Sequence, residues 1–137
     1  MTGSTPAFLD TSFIVRYLVN DLPELAERAA RVIEGDKILI LSEMALLESA
    51  YVLASLYHVP RAEIVDSLME LVQRRNLRMA SLPKARVLEA LHLCRDSKRH
   101  SFTDALLWAQ AIENDASGIY SFDRRFPRSG LPILTGE

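Results

Sequence analysis

The sequence predicts an α/β fold, a three-layer α/β/α sandwich with a mostly parallel central sheet. Short apolar segments alternate along the chain with amphipathic segments of helical spacing, which is the pattern of repeated strand–helix units. The segment 37–41 is almost continuously apolar, as expected for a strand that is covered on both faces. The segment Ala7–Leu9 is also apolar and stops abruptly at Asp10, which indicates a buried strand with a polar residue at its end.

The first two helices have recognisable start and stop signals. A short helix is expected over Phe13–Val19, with the hydroxyl group of Thr11 or Ser12 as its N-terminal cap. Proline is tolerated in the first turn of a helix, so Pro23 indicates the start of a second helix. Gly35 is a typical residue after a helix and indicates where the second helix ends.

The alternation continues through the rest of the chain. Ser42 is expected to cap a long helix that runs through Tyr57, and Pro60 is expected to begin the next helix. A helix is predicted over Lys84–Asp96, and Ser101 is expected to cap the last helix. The remaining strands are predicted over 77–80, 118–122 and 131–134.

Length and composition indicate a globular protein with one domain over residues 1–137. Of the 137 residues, 49% are hydrophobic and 25% are charged, which is enough to bury a core without disulfides. The single cysteine, Cys94, excludes a disulfide framework and a cysteine-based zinc site within one chain. The sequence has neither a secretory signal pattern nor a membrane-spanning apolar run. We therefore expect a soluble protein in a reducing, cytoplasmic compartment.

Four acidic residues are the best candidates for chemistry. Asp10 and Asp123 each follow a predicted strand, where the functional sites of parallel α/β sheets lie. Asp104 lies in the first turn of a predicted helix, and Glu48 lies inside one. A set of carboxylates without Cys or His suits Mg²⁺ or Mn²⁺ and disfavours zinc. Such a site can activate water and neutralise charge in phosphodiester hydrolysis.

Each acid also has a structural alternative. Asp10 could cap the helix that follows it, and Asp104 could do so in the capping-box pattern that begins at Ser101. Glu48 has apolar neighbours at helical spacing, so it could form a buried salt bridge or lie at a seam between helices. Asp123 precedes two arginines and could be a turn residue paired with one of them. No acid decides the question alone, but the four together favour a metal site.

Net charge does not decide whether the partner is a nucleic acid. The chain has 16 basic and 18 acidic residues and a formal charge of −2. If four of the 18 acids hold a metal, the rest of the chain has 16 basic and 14 acidic residues. Several basic residues near the four acids are candidates for phosphate contacts, the alternative being a solvated charged face. These residues are Arg16, Lys98, Arg124 and Arg125.

Four segments that contain the acids resemble the motifs of the PIN-domain family. Their order and spacing match that family over nearly the whole chain, and its size is most similar to the VapC-like toxins of toxin–antitoxin pairs. One departure is Arg125, where many relatives carry a second acid, and this leaves the number of metal ions open. Another is Ser121 in place of a commoner threonine. The four segments are Phe8–Phe13, Ser42–Glu48, Ser101–Leu106 and Tyr120–Phe126.

The resemblance implies a parallel five-stranded sheet between helices, RNA cleavage that depends on Mg²⁺ or Mn²⁺, and frequent homodimers. Asp10 and Asp104 would be direct metal ligands, and Asp123 would be a further ligand or would hold a metal-bound water. Glu48 would orient or deprotonate the attacking water. The expected partners are single-stranded or looped RNA and a cognate antitoxin protein.

Two other functions are open to such a chain. One is a catalytically silent PIN-like module that binds RNA or a protein, although the four acids disfavour it because a non-catalytic fold has no reason to accumulate like charges. The other is a Mg²⁺-dependent phosphatase with Asp10 as its nucleophile. Such enzymes generally carry a second aspartate two residues later, where this chain has Ser12.

Overall fold

The predicted α/β class is confirmed by a computed structural model, which describes residues 5–137. All five predicted strands are present, and each is shorter than predicted. Strands β1, β2 and β3 form a parallel sheet in that order, and β4 pairs with β5, also in parallel. The strands are β1 (Ala7–Phe8), β2 (Leu39–Leu41), β3 (Leu77–Met79), β4 (Ile119–Tyr120) and β5 (Ile133–Leu134).

Within residues 5–137 the strands form two hydrogen-bonded ladders and not the single five-stranded sheet that the resemblance implies. In the larger ladder, Leu39 of β2 lies opposite Ala7 of β1 and Leu77 of β3. Strands β1, β4 and β5 have only two residues each, which leaves little backbone for a further ladder between them. The sheet expectation is therefore wrong in extent, while the parallel direction is confirmed.

The β4–β5 ladder brings two backbones close together near the end of the chain. The backbone N–H of Ser121 donates to the carbonyl oxygen of Leu134 at 3.2 Å. Gly118 directly precedes β4, and a Cβ atom placed there would lie 2.8 Å from the carbonyl oxygen of Pro132. This approach is too close for any side chain, so the pairing of β4 with β5 depends on glycine at this position.

Within the part of the chain that the structure describes, six helices connect the strands, close to the positions that the sequence predicts. Ser42 and Ser101 cap their helices as expected, because each hydroxyl oxygen accepts a hydrogen bond from a backbone N–H of the first turn. The helices are α1 (Thr11–Leu18), α2 (Pro23–Ile33), α3 (Glu43–Ser55), α4 (Arg61–Val72), α5 (Lys84–Arg95) and α6 (Phe102–Glu113).

The predicted cap of α1 is wrong. Thr11 and Ser12 already lie inside the helix, and Asp10 is the N-terminal cap, with its carboxylate accepting a hydrogen bond from the N–H of Ser12. Aspartate, serine and threonine are all good caps, so three consecutive candidates left the choice open in the sequence. The capping role of Asp10 is therefore real, and any role in chemistry must be compatible with it.

Helix α3 has a central position among the helices. It contacts α1, α4 and α6, while α1 also packs on α2 and α5 packs on both α4 and α6. The buried core includes Leu39 and Leu41 of β2 together with Leu46 and Leu53 of α3. Within the described residues, no helix is long and apolar enough to cross a membrane. Because α3 contacts both α1 and α6, it links the parts of the chain that carry the candidate acids.

Candidate active site

Asp10 presents an ionised carboxylate at the end of β1. Its Oδ2 atom accepts hydrogen bonds from the backbone N–H of Ser12 at 3.1 Å and from the Ser12 hydroxyl at 2.6 Å. The hydroxyl bond is the main reason why the pKa of Asp10 is lowered, and the backbone bond adds to it. Because both bonds fall on Oδ2, capping the helix and binding a cation are compatible roles for this residue.

Glu48 is linked to the same end of the molecule by a hydrogen bond. The hydroxyl group of Thr11, the residue after Asp10, donates to Oε1 of Glu48 at 2.9 Å. Glu48 is exposed, which excludes the alternative of a buried salt bridge. Its apolar neighbours Met44 and Tyr51 are themselves 79% and 70% exposed, which means that they mark an outer face of α3 and not the core.

The buried glutamate of α3 is Glu43, which the sequence analysis did not single out. Its side chain is only 8% exposed, and its Oε2 atom accepts hydrogen bonds from the backbone N–H groups of Ser81 at 3.1 Å and Leu82 at 2.7 Å. These bonds tie the start of α3 to the segment that follows β3. Glu43 therefore has a structural role, and Glu48 is the glutamate of this helix that is available for chemistry.

Asp104 is half-buried in the first turn of α6. The cap of this helix is the hydroxyl of Ser101, which accepts a hydrogen bond from the backbone N–H of Asp104 at 3.0 Å. Burial raises the pKa of Asp104, and the nearby charge of Asp123 raises it further. The Asp104 carboxyl is therefore not needed as the cap, and it lies close enough to Asp123 for the two to repel each other when both are ionised.

Asp123 lies in a tight turn directly after β4. Its Oδ1 atom accepts a hydrogen bond from the backbone N–H of Arg125 at 2.8 Å, and its own N–H donates to the hydroxyl of Ser121 at 3.0 Å. The contact of Asp123 with Arg125 is to the backbone N–H and not to the guanidinium group. The alternative of an ion pair with arginine is therefore wrong. The turn is thus fixed by its own hydrogen bonds, and the Asp123 side chain is exposed.

The four acids are therefore brought together in two pairs. Asp10 and Glu48 are joined through Thr11, and Asp104 faces Asp123. Across residues 5–137, no group of three or more acid, Cys or His side chains is close enough to form a ready-made metal cage. The donor set is nevertheless all oxygen, and Mg²⁺ commonly uses only one or two carboxylates together with waters and phosphate oxygens. The residues present therefore fit Mg²⁺ better than a cation that needs a complete protein cage.

A family model for the PIN domain matches residues 7–130 of the chain. The chain belongs to the PIN-domain family. PIN domains are generally nucleases that require divalent metal ions and bind RNA, so the carboxylate pairs described above have the chemistry that the family uses. No curated protein is similar enough to the chain to count as a match.

In this PIN domain, Arg61 and His100 connect the start of α6, which carries Asp104, to the turn that carries Asp123. The Nη1 atom of Arg61 donates to the carbonyl oxygens of Cys94 at 3.1 Å and His100 at 3.0 Å. The Arg61 guanidinium also lies over the Phe102 ring, 5.0 Å from its centroid. His100 in turn is hydrogen-bonded through Nδ1 to the carbonyl oxygen of Arg125 at 2.8 Å.

This connection of the two segments by Arg61 and His100 was not predicted from the sequence. Both residues act on backbone carbonyl groups far away in the chain, and such contacts leave no pattern in side-chain spacing. Their effect is to hold the start of α6 against the turn that follows β4. Arg61 and His100 thereby help to position the start of α6 relative to the turn that carries Asp123.

The predicted phosphate-binding residues of the PIN domain fall into two groups. Lys98, Arg124 and Arg125 are exposed, and among the described residues none of them forms an ion pair, which leaves their charges available. Arg16 differs, because its Nη1 atom donates to Asp21 at 2.8 Å and to the Tyr57 hydroxyl at 3.2 Å. An RNA contact by Arg16 would have to compete with this ion pair.

Proposed function

We propose that this PIN domain is a Mg²⁺-dependent endoribonuclease that hydrolyses RNA phosphodiester bonds and serves as the toxin of a toxin–antitoxin pair. The observation that supports the proposal best is the pair of facing carboxylates, Asp104 and Asp123, with the pKa of Asp104 raised by burial and by its neighbour. Repulsion of this kind is relieved by a bound cation. We take residues 1–137 to act as one catalytic domain, with Mn²⁺ able to replace Mg²⁺.

The proposed roles of the acids follow from their surroundings. Asp10 and Asp104 would hold the metal, and Asp123 would be a further ligand or would orient a metal-bound water. When bound, the metal would neutralise charge on the scissile phosphate and make water more acidic. Glu48 would orient the attacking water or accept its proton, and the hydroxyl of Thr11 would hold its Oε1 atom in place.

The test of this proposal is RNA cleavage by purified protein with Mg²⁺, with Mn²⁺ and with EDTA. The Asp104→Asn variant, prepared in parallel, is the matched control for host ribonucleases. We expect cleavage with either metal, none with EDTA, and none by the variant. Cleavage that persists in EDTA would exclude the metal mechanism. An inactive wild-type protein that still binds RNA would instead favour the catalytically silent binding module.

Lys98, Arg124 and Arg125 are proposed to bind RNA phosphates, because all three are exposed, Lys98 shortly before Asp104 in the chain and the two arginines directly after Asp123. Replacing any one of them with alanine should weaken binding of all RNA sequences alike and reduce the salt dependence by about one phosphate contact. Arg16→Ala should have a smaller effect, because Arg16 is already paired with Asp21. An unchanged salt dependence in the first three variants would assign them to an ordinary solvated surface.

The proposed partners are a cognate antitoxin and a second copy of the chain. An antitoxin that places a basic side chain near the four carboxylates would be attracted strongly by their charge. Co-expression with the product of the neighbouring gene should give an isolable complex and relieve growth arrest. Light scattering of the purified protein should give the mass of a dimer. A protein that arrests no growth and captures no such partner would contradict the toxin role and leave the nuclease proposal standing.

A further inference from the structure

A pocket of about 520 Å³ opens beside Asp123, between the turn after β4 and the segment around β5. Phe122 lines this pocket, and its side chain is 97% exposed, more than any other large apolar residue of the described chain. Two arginines, Arg124 and Arg128, line the same pocket. An aromatic ring and two cationic side chains therefore share one concave surface next to a candidate catalytic carboxylate.

The exposure of Phe122 is not the result of a loose loop. The residues on either side of it are held by hydrogen bonds, from the N–H of Ser121 to Leu134 at 3.2 Å and from the N–H of Asp123 to the Ser121 hydroxyl at 3.0 Å. A further bond joins the N–H of Arg125 to Asp123 at 2.8 Å. The fold thus holds the backbone of Phe122 in a fixed place while it leaves the ring in water.

The chemistry of this surface selects one class of ligand. An exposed aromatic ring can stack on a flat base, and guanidinium groups bind phosphate oxygens. Among the described residues, Arg124 and Arg128 form no ion pair that would compete for their charge. The volume of the pocket lies within the range of ordinary ligand sites. A nucleotide has both a flat base that can stack on the Phe122 ring and a phosphate that can bind the two arginines.

We propose that this pocket binds one unpaired nucleotide of the substrate RNA, with its base stacked on Phe122 and its flanking phosphates bound by Arg124 and Arg128. The inference rests on the proposed ribonuclease function and adds a position along the RNA strand. Because Phe122 directly precedes Asp123, the stacked nucleotide lies beside the scissile phosphate. A base within a duplex cannot reach the ring, so the pocket favours single-stranded substrates. Every base has an aromatic face, so the pocket adds affinity and not sequence preference.

The test uses the Asp104→Asn protein in EDTA, so that binding is measured without cleavage. The probe is a single-stranded RNA oligonucleotide with 2-aminopurine at one internal position, moved along the strand in a series of probes. Stacking on an aromatic ring quenches this base, so we expect binding to quench the 2-aminopurine at each internal position, because the strand can bind in several registers. Adding Phe122→Leu should remove the quenching and weaken binding by about 5- to 150-fold. Adding Phe122→Tyr, which keeps the ring, should preserve both.

The matched control is Phe8→Leu, since Phe8 is also an exposed phenylalanine, at 67%, and lies outside the pocket. Phe8→Leu should bind and quench like the parent. Equal losses in the two leucine variants, or normal quenching in Phe122→Leu, would overturn the nucleotide site. A ring that is needed only for capture of the partner protein would also overturn it and would assign the pocket to a protein interface.

A parallel cleavage assay separates this inference from the proposed function. If the wild-type protein cleaves RNA in Mg²⁺ and Phe122→Leu leaves RNA binding unchanged, only the stacking site is wrong. If the wild-type protein does not cleave RNA but the quenching depends on Phe122, the nuclease function is wrong and the nucleotide pocket stands.

Discussion

The two carboxylate pairs of this PIN domain have opposite surroundings, since one favours an ionised carboxyl group and the other disfavours it. On the side of α1 and α3, hydroxyl groups of Ser12 and Thr11 donate hydrogen bonds to Asp10 and Glu48. On the side of α6, Asp104 is half-buried and faces another acid. Hydrogen bonds favour the ionised form of a carboxyl group, whereas burial and a like charge disfavour it. The pKa of Asp10 is accordingly lowered and that of Asp104 is raised.

If the two pairs form one metal site, as proposed, its two parts differ in how they accommodate negative charge. Asp10 is stabilised in its ionised form without a cation. The Asp104 side carries repulsion that a cation would relieve, so metal binding should stabilise mainly this part of the protein.

Asp10→Asn and Asp104→Asn should both reduce cleavage by at least about 100-fold, because loss of a direct ligand should exceed the cost of an outer-shell change. Their effects on the stability of the metal-free protein should have opposite signs. Asp104→Asn removes a repelled charge and should leave the free energy of unfolding equal or higher. Asp10→Asn removes a charge that favours the start of α1 and should lower it. Urea unfolding in EDTA, beside cleavage assays in Mg²⁺, measures both.

A different result at Asp104 would change its assignment. If Asp104→Asn is destabilised but fully active, Asp104 serves the helix and not the reaction. If both variants are destabilised equally, the two sides of the site are not held differently and the comparison fails.

Thr11→Val should lower kcat by about tenfold, because Glu48 loses the hydroxyl that holds its Oε1 atom. The substitution keeps the shape of the side chain, and KM should change little because Thr11 is not expected to contact the RNA. Thr11→Ser keeps the hydroxyl and is the matched control, with kcat near that of the wild type. Steady-state cleavage kinetics distinguish the two, and a fully active Thr11→Val protein would show that Glu48 needs no such support.

Arg61→Met should destabilise the α6 side by about 1–3 kcal/mol, because a charged donor of two hydrogen bonds is lost. It should also reduce cleavage severalfold by loosening the start of α6, which carries Asp104. Arg75→Met is the matched control, because Arg75 is an exposed arginine. Urea unfolding of both variants gives the difference. Equal stability of the two would mean that the Arg61 contacts contribute little.

The smallest expected effect is a difference in pH dependence. Ionised Asp104 destabilises the metal-free protein above its raised pKa, and this effect is absent below its ordinary value of 3.8. Ionised Asp10 contributes stability that is lost as pH falls from 3.8 through its lowered pKa. The stability gained by Asp104→Asn should therefore grow as pH rises above 3.8, and the stability lost by Asp10→Asn should shrink as pH falls below that value.

These trends are measured by urea midpoints in EDTA at a series of pH values. The wild-type protein is the reference for each variant at every pH. Parallel curves for the two variants would mean that their carboxyl groups titrate alike, and the assignment of opposite surroundings would be wrong.

Local patterns in the sequence were sufficient to predict the order of strands and helices. Capping by Ser42 and Ser101 was predictable because a serine directly before an apolar helical segment commonly accepts a hydrogen bond from a backbone N–H of the first turn. The positions of Asp10 and Asp123 after strands followed from the same alternation. The pairing of Asp104 with Asp123 was not predicted, because Asp104 lies at the start of a helix and its distance from a strand end cannot be read from spacing.

Features that depend on which face of a helix meets the core could not be predicted in the same way. Glu48 has apolar neighbours, but those neighbours are exposed, whereas the buried glutamate is Glu43 beside a cap. Both glutamates lie in one helix, and spacing alone cannot show its rotation. The contacts of Arg61 and His100 could not be predicted either, because they are made to backbone carbonyl groups, which every residue carries.

The short β4–β5 ladder sets a practical limit on where this protein can be cut. The family match ends at residue 130, but β5 lies beyond it at Ile133–Leu134. The backbone N–H of Ser121 donates a hydrogen bond to Leu134, and Gly118 leaves no room for a side chain beside Pro132. Ending the chain at residue 130 would therefore keep every candidate acid but remove β5, which pairs with the strand that precedes Asp123.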